Sequence, residues 1–132
     1  ILKTKIQDIG IYGLAFKKGT DDLRFSKSLE LCEQLLGKGK NVNVFDNYVN
    51  ISKIIGSNKE YLKNKIPHIN KMLVSNIKEL CDKSRLIVLI HKPSKNSINY
   101  LSKFLQNSEN LIIDLSQNSK LKKFNNYNGC NW

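Results

Sequence analysis

Residues 6–16 read IQDIGIYGLAF, an isoleucine-rich apolar run punctuated by Gly10 and Gly13. An apolar run with little polar alternation predicts a strand buried on both faces, and the second glycine predicts a turn at its carboxyl end. Outward from this run, the pattern changes at Ser26 to a helical period. Leu29, Cys32, Leu35 and Leu36 share one face, and Gly37 and Gly39 supply the stop. VNVF at 42–45 predicts a second strand, ended by Asp46 and Asn47. Residues 72–74 predict another brief strand before Ser75, an N-cap for a helix through Lys83, with short helical pieces between 47 and 72. LIVLI at 86–90 is the most strand-like run, 97–105 is helical, LIIDL at 111–115 is a last buried strand, and beyond Ser116 the chain is polar and Asn-rich.

Strands that alternate with helices and are apolar on both faces predict an α/β class: a Rossmann-like parallel sheet of about five strands, helices on both faces, strand one central. The length of 132 residues fits a single domain, 1–132, with 117–132 as a polar tail. Two βα units echo each other in Glu30–Leu31–Cys32–Glu33 and Glu79–Leu80–Cys81–Asp82. A small apolar Cys on the sheet-facing side of a crossover helix is core packing.

With 40% hydrophobic and 25% charged residues, 7 Gly and 2 Pro, the composition excludes collagen-like and disordered classes. No apolar run is long enough to cross a bilayer, and the first residues lack the order of a signal peptide, so a cytoplasmic chain is expected. Cys32, Cys81 and Cys130 have neither even number nor close spacing, which predicts reduced thiols and no metal site. The net charge of +11 favours an anionic partner: nucleic acid, a phosphorylated metabolite or an acidic membrane. All basic residues except Arg24 and Arg85 are Lys, however, and the chain is rich in Asn and Ile, a mix that an AT-rich genome produces without selection for binding. Short basic runs such as 120–123 are read as solvated faces.

In this architecture ligands lie at the carboxyl ends of the strands. The loop after strand one, FKKGTDDLR at 16–24, gathers two Lys, one Arg, a hydroxyl and backbone donors, the groups that hold phosphate oxygens. The alternative is a surface loop whose Asp21 and Asp22 pair with neighbouring Lys. Gly10–Ile11–Tyr12–Gly13 is not GxGxxG, and Asp46 only loosely resembles the ribose-binding acid of that motif. His68 is a packing residue before it is a base. His91 stands at a strand's carboxyl end without a neighbouring carboxylate or His in sequence, a poor metal ligand. Tyr12 belongs to the core, and Trp132 could cap an interface.

The stretch GIYGLAFKKGTDDLRFSKSLELCEQLLGKGKNVNVFDNYV, 10–49, resembles the C-terminal domain of the UDP-glucose/GDP-mannose dehydrogenase family, through its G-L-[AS]-F-K-x-x-T-D-D-x-R segment. NKEY at 58–61, KIPHI at 65–69, LVS at 73–75 and the terminal GCNW at 129–132 resemble the GDP-mannose branch. Phe25 and Lys27 depart from the Glu and Pro usual after the Arg, and His91–Lys92–Pro93 departs from that branch's Gly–Asn–Gly–Asp turn.

The resemblance implies the nucleotide-sugar-binding domain of a longer NAD-dependent 6-dehydrogenase. That enzyme would oxidise GDP-mannose to GDP-mannuronate, or a UDP-sugar in the alternative, by two hydride transfers. The NAD-binding domain and the catalytic Cys would lie upstream, so no catalytic residue is expected in this chain and the isolated domain is expected to be inactive. Carried over by residue, Phe16, Lys17 and Thr20 would contact substrate and Arg24 the NAD side of the cleft. The implied partner is a nucleotide sugar, not nucleic acid or membrane, in a homo-oligomeric enzyme of polysaccharide biosynthesis. Two rivals stand beside it. One is a basic nucleotide- or nucleic-acid-binding module, supported by the charge but lacking an interleaved aromatic and basic stripe; the other is a domain that only oligomerises.

Overall fold

A computed structural model describes residues 4–14, 27–47, 69–116 and 119–129. In chain order these form β1 (Asp8–Tyr12), α1 (Lys27–Gly37), β2 (Asn41–Phe45), α2 (Ile69–Met72), α3 (Ile77–Lys83), β3 (Leu86–Leu89), α4 (Lys95–Leu105), β4 (Leu111–Asp114), a 3-10 turn (Ser119–Leu121) and β5 (Tyr127–Gly129). The strands make one sheet in the order β2-β1-β3-β4-β5, every pairing parallel. This is a five-stranded Rossmann-like α/β fold in the doubly wound order whose direction reverses between β1 and β3.

Side-chain alternation divides the core between the two faces. Ile9, Ile11, Val42, Val44, Leu86 and Val88 pack with Leu29, Cys32 and Leu35 of α1 and Met72 of α2. The intervening positions Tyr12, Phe45, Ile87, Leu89 and Ile112 pack with Ile77 and Leu80 of α3 and Leu101, Phe104 and Leu105 of α4. β3 is buried at all four positions, which is why LIVL reads as a continuous apolar run. Gly10 lies on the α3 face, where a β-carbon would stand 2.5 Å from Ser84 Oγ and 3.0 Å from Leu80 Cδ1. Its missing side chain lets the end of α3 approach the central strand.

The fifth strand differs from the expected one. Met72 closes α2, and Leu73 makes a lone parallel bridge to Val44 instead of a strand. The fifth strand comes from the polar tail, where Tyr127–Gly129 pairs with β4 and the nearby Leu121 is fully buried. The buried Asp114 carboxylate secures this edge: it accepts the Ser116 N–H and hydroxyl, each at 2.6 Å, and the Tyr127 hydroxyl. The cap of α3 also moves by one residue. Asn76 is the N-cap and accepts the Glu79 N–H at 2.8 Å, while Glu79 reaches back to the Ser75 N–H and hydroxyl, both at 2.8 Å.

Candidate functional site

Register decides what meets at the carboxyl ends. Tyr12 is level with Phe45 on one side and Leu89 on the other, so the next residues of β1, β2 and β3 leave the sheet side by side. Gly13 turns there with φ at 102°, a conformation that L side chains rarely adopt, and its N–H donates to Phe45 O at 2.8 Å. Over it lies His91, whose N–H donates to Tyr12 O at 3.3 Å and whose ring covers the face where a side chain on Gly13 would stand.

Asp46 joins the three strand exits. Its Oδ2 accepts the Leu14 N–H at 2.7 Å and lies 3.8 Å from His91 Nδ1, with the Asp46 side chain 2% exposed. The carboxylate therefore serves the backbone of the β1 exit, where the sequence pointed loosely to a ribose contact. His91 does have a carboxylate beside it, supplied by a residue 45 positions earlier in the chain. Tyr12 is core by its ring, 4% exposed and edge-on to Phe45, yet its hydroxyl reaches the start of α4. It donates to Ser97 Oγ at 3.0 Å and accepts the Ser94 N–H at 3.4 Å, and Ser94 Oγ caps α4 by accepting the Ser97 N–H.

These groups stand at the switch point between β1 and β3, where doubly wound sheets bind ligands. The segment that continues from Leu14 carries Phe16, Lys17, Thr20 and Arg24, with Asp21 and Asp22. All of these, together with His68, Cys130 and Trp132, lie outside the described residues. Sequence reasoning weighed Asp46 only as a loose match to a ribose-binding acid and missed its contact with Leu14; the only local signal was a carboxylate directly after a strand.

Gly10 is filled against Ser84 and Leu80, so at this position the backbone of β1 offers no open approach to a pyrophosphate. Among the described residues there is no cluster of His, Cys, Asp and Glu fit to hold a metal, and no helix long and apolar enough to cross a membrane. Burial pushes the thiols of Cys32 and Cys81 up to about 12, so neither is a thiolate near neutrality. An open hollow of about 540 Å3 lined by Leu105, Phe124 and Asn126 lies at the opposite, amino-terminal pole of the sheet.

With this geometry in place, comparison with known proteins is decisive about kinship. The family described as the UDP-glucose/GDP-mannose dehydrogenase family, UDP binding domain, matches residues 10–119. The chain belongs to the UDP-glucose/GDP-mannose dehydrogenase family.

Within the UDP-glucose/GDP-mannose dehydrogenase family, the chain is similar to the GDP-mannose 6-dehydrogenase of Pseudomonas aeruginosa, 47% identical over 81 residues, covering 61% of this chain and 19% of that protein. It is also similar to the UDP-glucose 6-dehydrogenase of Rickettsia felis, 33% identical over 85 residues, covering 64% of this chain and 17% of that protein. The chain thus spans about a fifth of the length of the curated relatives it matches. Among solved structures, a ternary complex of GDP-mannose dehydrogenase from Pseudomonas aeruginosa superposes with a TM-score of 0.71 at 32% identity, covering 96% of this chain and 28% of that one. A UDP-glucose dehydrogenase from Pyrobaculum islandicum shares the fold, with a TM-score of 0.59 at 21% identity over 92% of this chain and 24% of that one.

Proposed function

We propose that this chain is the nucleotide-sugar-binding domain of an NAD-dependent nucleotide-sugar 6-dehydrogenase that takes GDP-mannose to GDP-mannuronate. One observation carries the reading: Leu14, two positions before FKKGTDDLR in the sequence, stands at the exit of the central strand beside the switch point. In this reading Lys17 meets the negative charge of the nucleotide sugar, Phe16 and Thr20 shape the same surface, and Arg24 faces the cofactor. NAD supplies the hydride acceptor and is held mainly by a domain outside these 132 residues. The catalytic nucleophile also lies outside in this reading; Cys32 and Cys81, whose thiols burial raises to about 12, are unsuited to that role. The enzyme would work in the cytoplasm as a homo-oligomer. The likeness to GDP-mannose 6-dehydrogenase favours GDP-mannose; the family's description as a UDP binding domain supports a UDP-sugar as the second reading.

Calorimetric titration of the chain with GDP-mannose and with UDP-glucose tests this. Lys17→Ala should weaken binding about tenfold or more, the loss of a charge-assisted hydrogen bond, while Lys18→Ala should change it little. Equal losses for both variants that vanish in high salt would mean diffuse positive charge and no specific site. The chain alone should form no NADH from NAD and either nucleotide sugar.

A further inference from the structure

We propose that Asp46 is a positioning residue for the end of β1, Gly13 and Leu14, where the chain leaves the sheet. Backbone N–H groups at a strand end have no ladder partner beyond the last pairing and must find another acceptor when buried. Leu14 is fully buried, and its N–H is taken by Asp46 Oδ2 at 2.7 Å, across 32 positions of chain. The acceptor is itself 2% exposed, so water competes weakly for it. Beneath it, Gly13 is held in its left-handed turn by its bond to Phe45 O and is covered by the His91 ring. Two successive amides of the β1 exit are therefore bound to the end of β2, Gly13 to the Phe45 carbonyl and Leu14 to the Asp46 carboxylate. This double attachment fixes the backbone of Gly13 and Leu14 where β1 leaves the sheet. Asp46 acts through Leu14.

The consequence for ligand affinity rests on the nucleotide-sugar reading above, whereas the consequence for the strand end itself does not, so the test has two readouts. Hydrogen exchange in the 132-residue chain should show the Gly13 and Leu14 amides exchanging faster in Asp46→Ala than in the parent, with β3 and β4 unchanged. Asp46→Asn keeps an oxygen acceptor at the same place and should restore the parent pattern. Calorimetry with GDP-mannose and UDP-glucose should show affinity about tenfold lower for Asp46→Ala and within about threefold of the parent for Asp46→Asn. Asp46→Ser, whose oxygen falls short of Leu14, replaces Asp46→Ala should that variant not fold.

Faster exchange throughout the sheet, unchanged exchange at Leu14, or an Asp46→Asn variant as perturbed as Asp46→Ala would each overturn the proposal. A parent chain that binds neither nucleotide sugar defeats the functional reading instead, and the exchange result still decides the role of Asp46.

Discussion

The ring of His91 occupies the space that a side chain on Gly13 would need: a β-carbon built there lies 2.6 Å from His91 Cγ and 2.8 Å from Nδ1. The two residues follow neighbouring strands, so the turn of β1 and the loop after β3 are interlocked at the switch point. Glycine is required twice over, by its φ of 102° and by this contact.

Gly13→Ala should therefore destabilise the chain by at least about 1–3 kcal/mol, the cost of a strained backbone at a non-glycine residue. Adding His91→Ala removes the collision but not the φ, so the double variant should recover part of the loss in a urea titration. Full recovery would mean that the backbone conformation costs nothing.

Ser84 is 5% exposed, and its hydroxyl is buried without a hydrogen-bond partner among the described residues. A buried, unpaired hydroxyl is a penalty that alanine removes. Ser84→Ala should be neutral or stabilising by up to about 1 kcal/mol in thermal and urea melts, against the usual destabilisation at buried sites. A clear loss of stability would show that the hydroxyl does have a partner.

Glu79 holds the start of α3. Its bond from the Ser75 N–H, then the Lys83 ammonium and the Ser75 hydroxyl, lower its carboxyl from the ordinary 4.5 to about 2. A lowered folded-state value means that the contribution is complete above 4.5 and is lost as pH falls from there toward about 2. The stability gap between the parent and Glu79→Gln should be constant near neutrality and narrow across that acid window. Melting curves of both proteins taken from pH 7 to pH 2 measure it, and a gap that ignores pH would refute the capping role.

Cys32 is fully buried on α1, and both it and Cys81 are raised to about 12 by desolvation. In the native chain at pH 8, iodoacetamide should label the two far more slowly than a free thiol, and unfolding in urea should abolish the protection. Peptide mass spectrometry reads each site separately. Fast native labelling of Cys32 would contradict its place in the core.

The apolar runs at 86–89 and 111–114 announced their strands, and Leu29, Cys32 and Leu35 announced the buried face of α1, because burial on both faces or along one stripe leaves a period in the sequence. That FKKGTDDLR follows the first strand in the sequence was legible for the same local reason, β1 ending at Tyr12. The fifth strand was not. Tyr-Asn-Gly has no strand pattern of its own and extends because β4 offers it an open edge, while Met72, apolar enough for a strand, ends a helix instead. Nor could local pattern show that Asp46, a residue that ends a strand, accepts the Leu14 N–H and lies beside His91. Those contacts join residues 32 and 45 positions apart, and parallel register alone brings them to one end of the sheet. Periodicity thus determined which segments fold and how, and the order of the strands decided which of their ends meet.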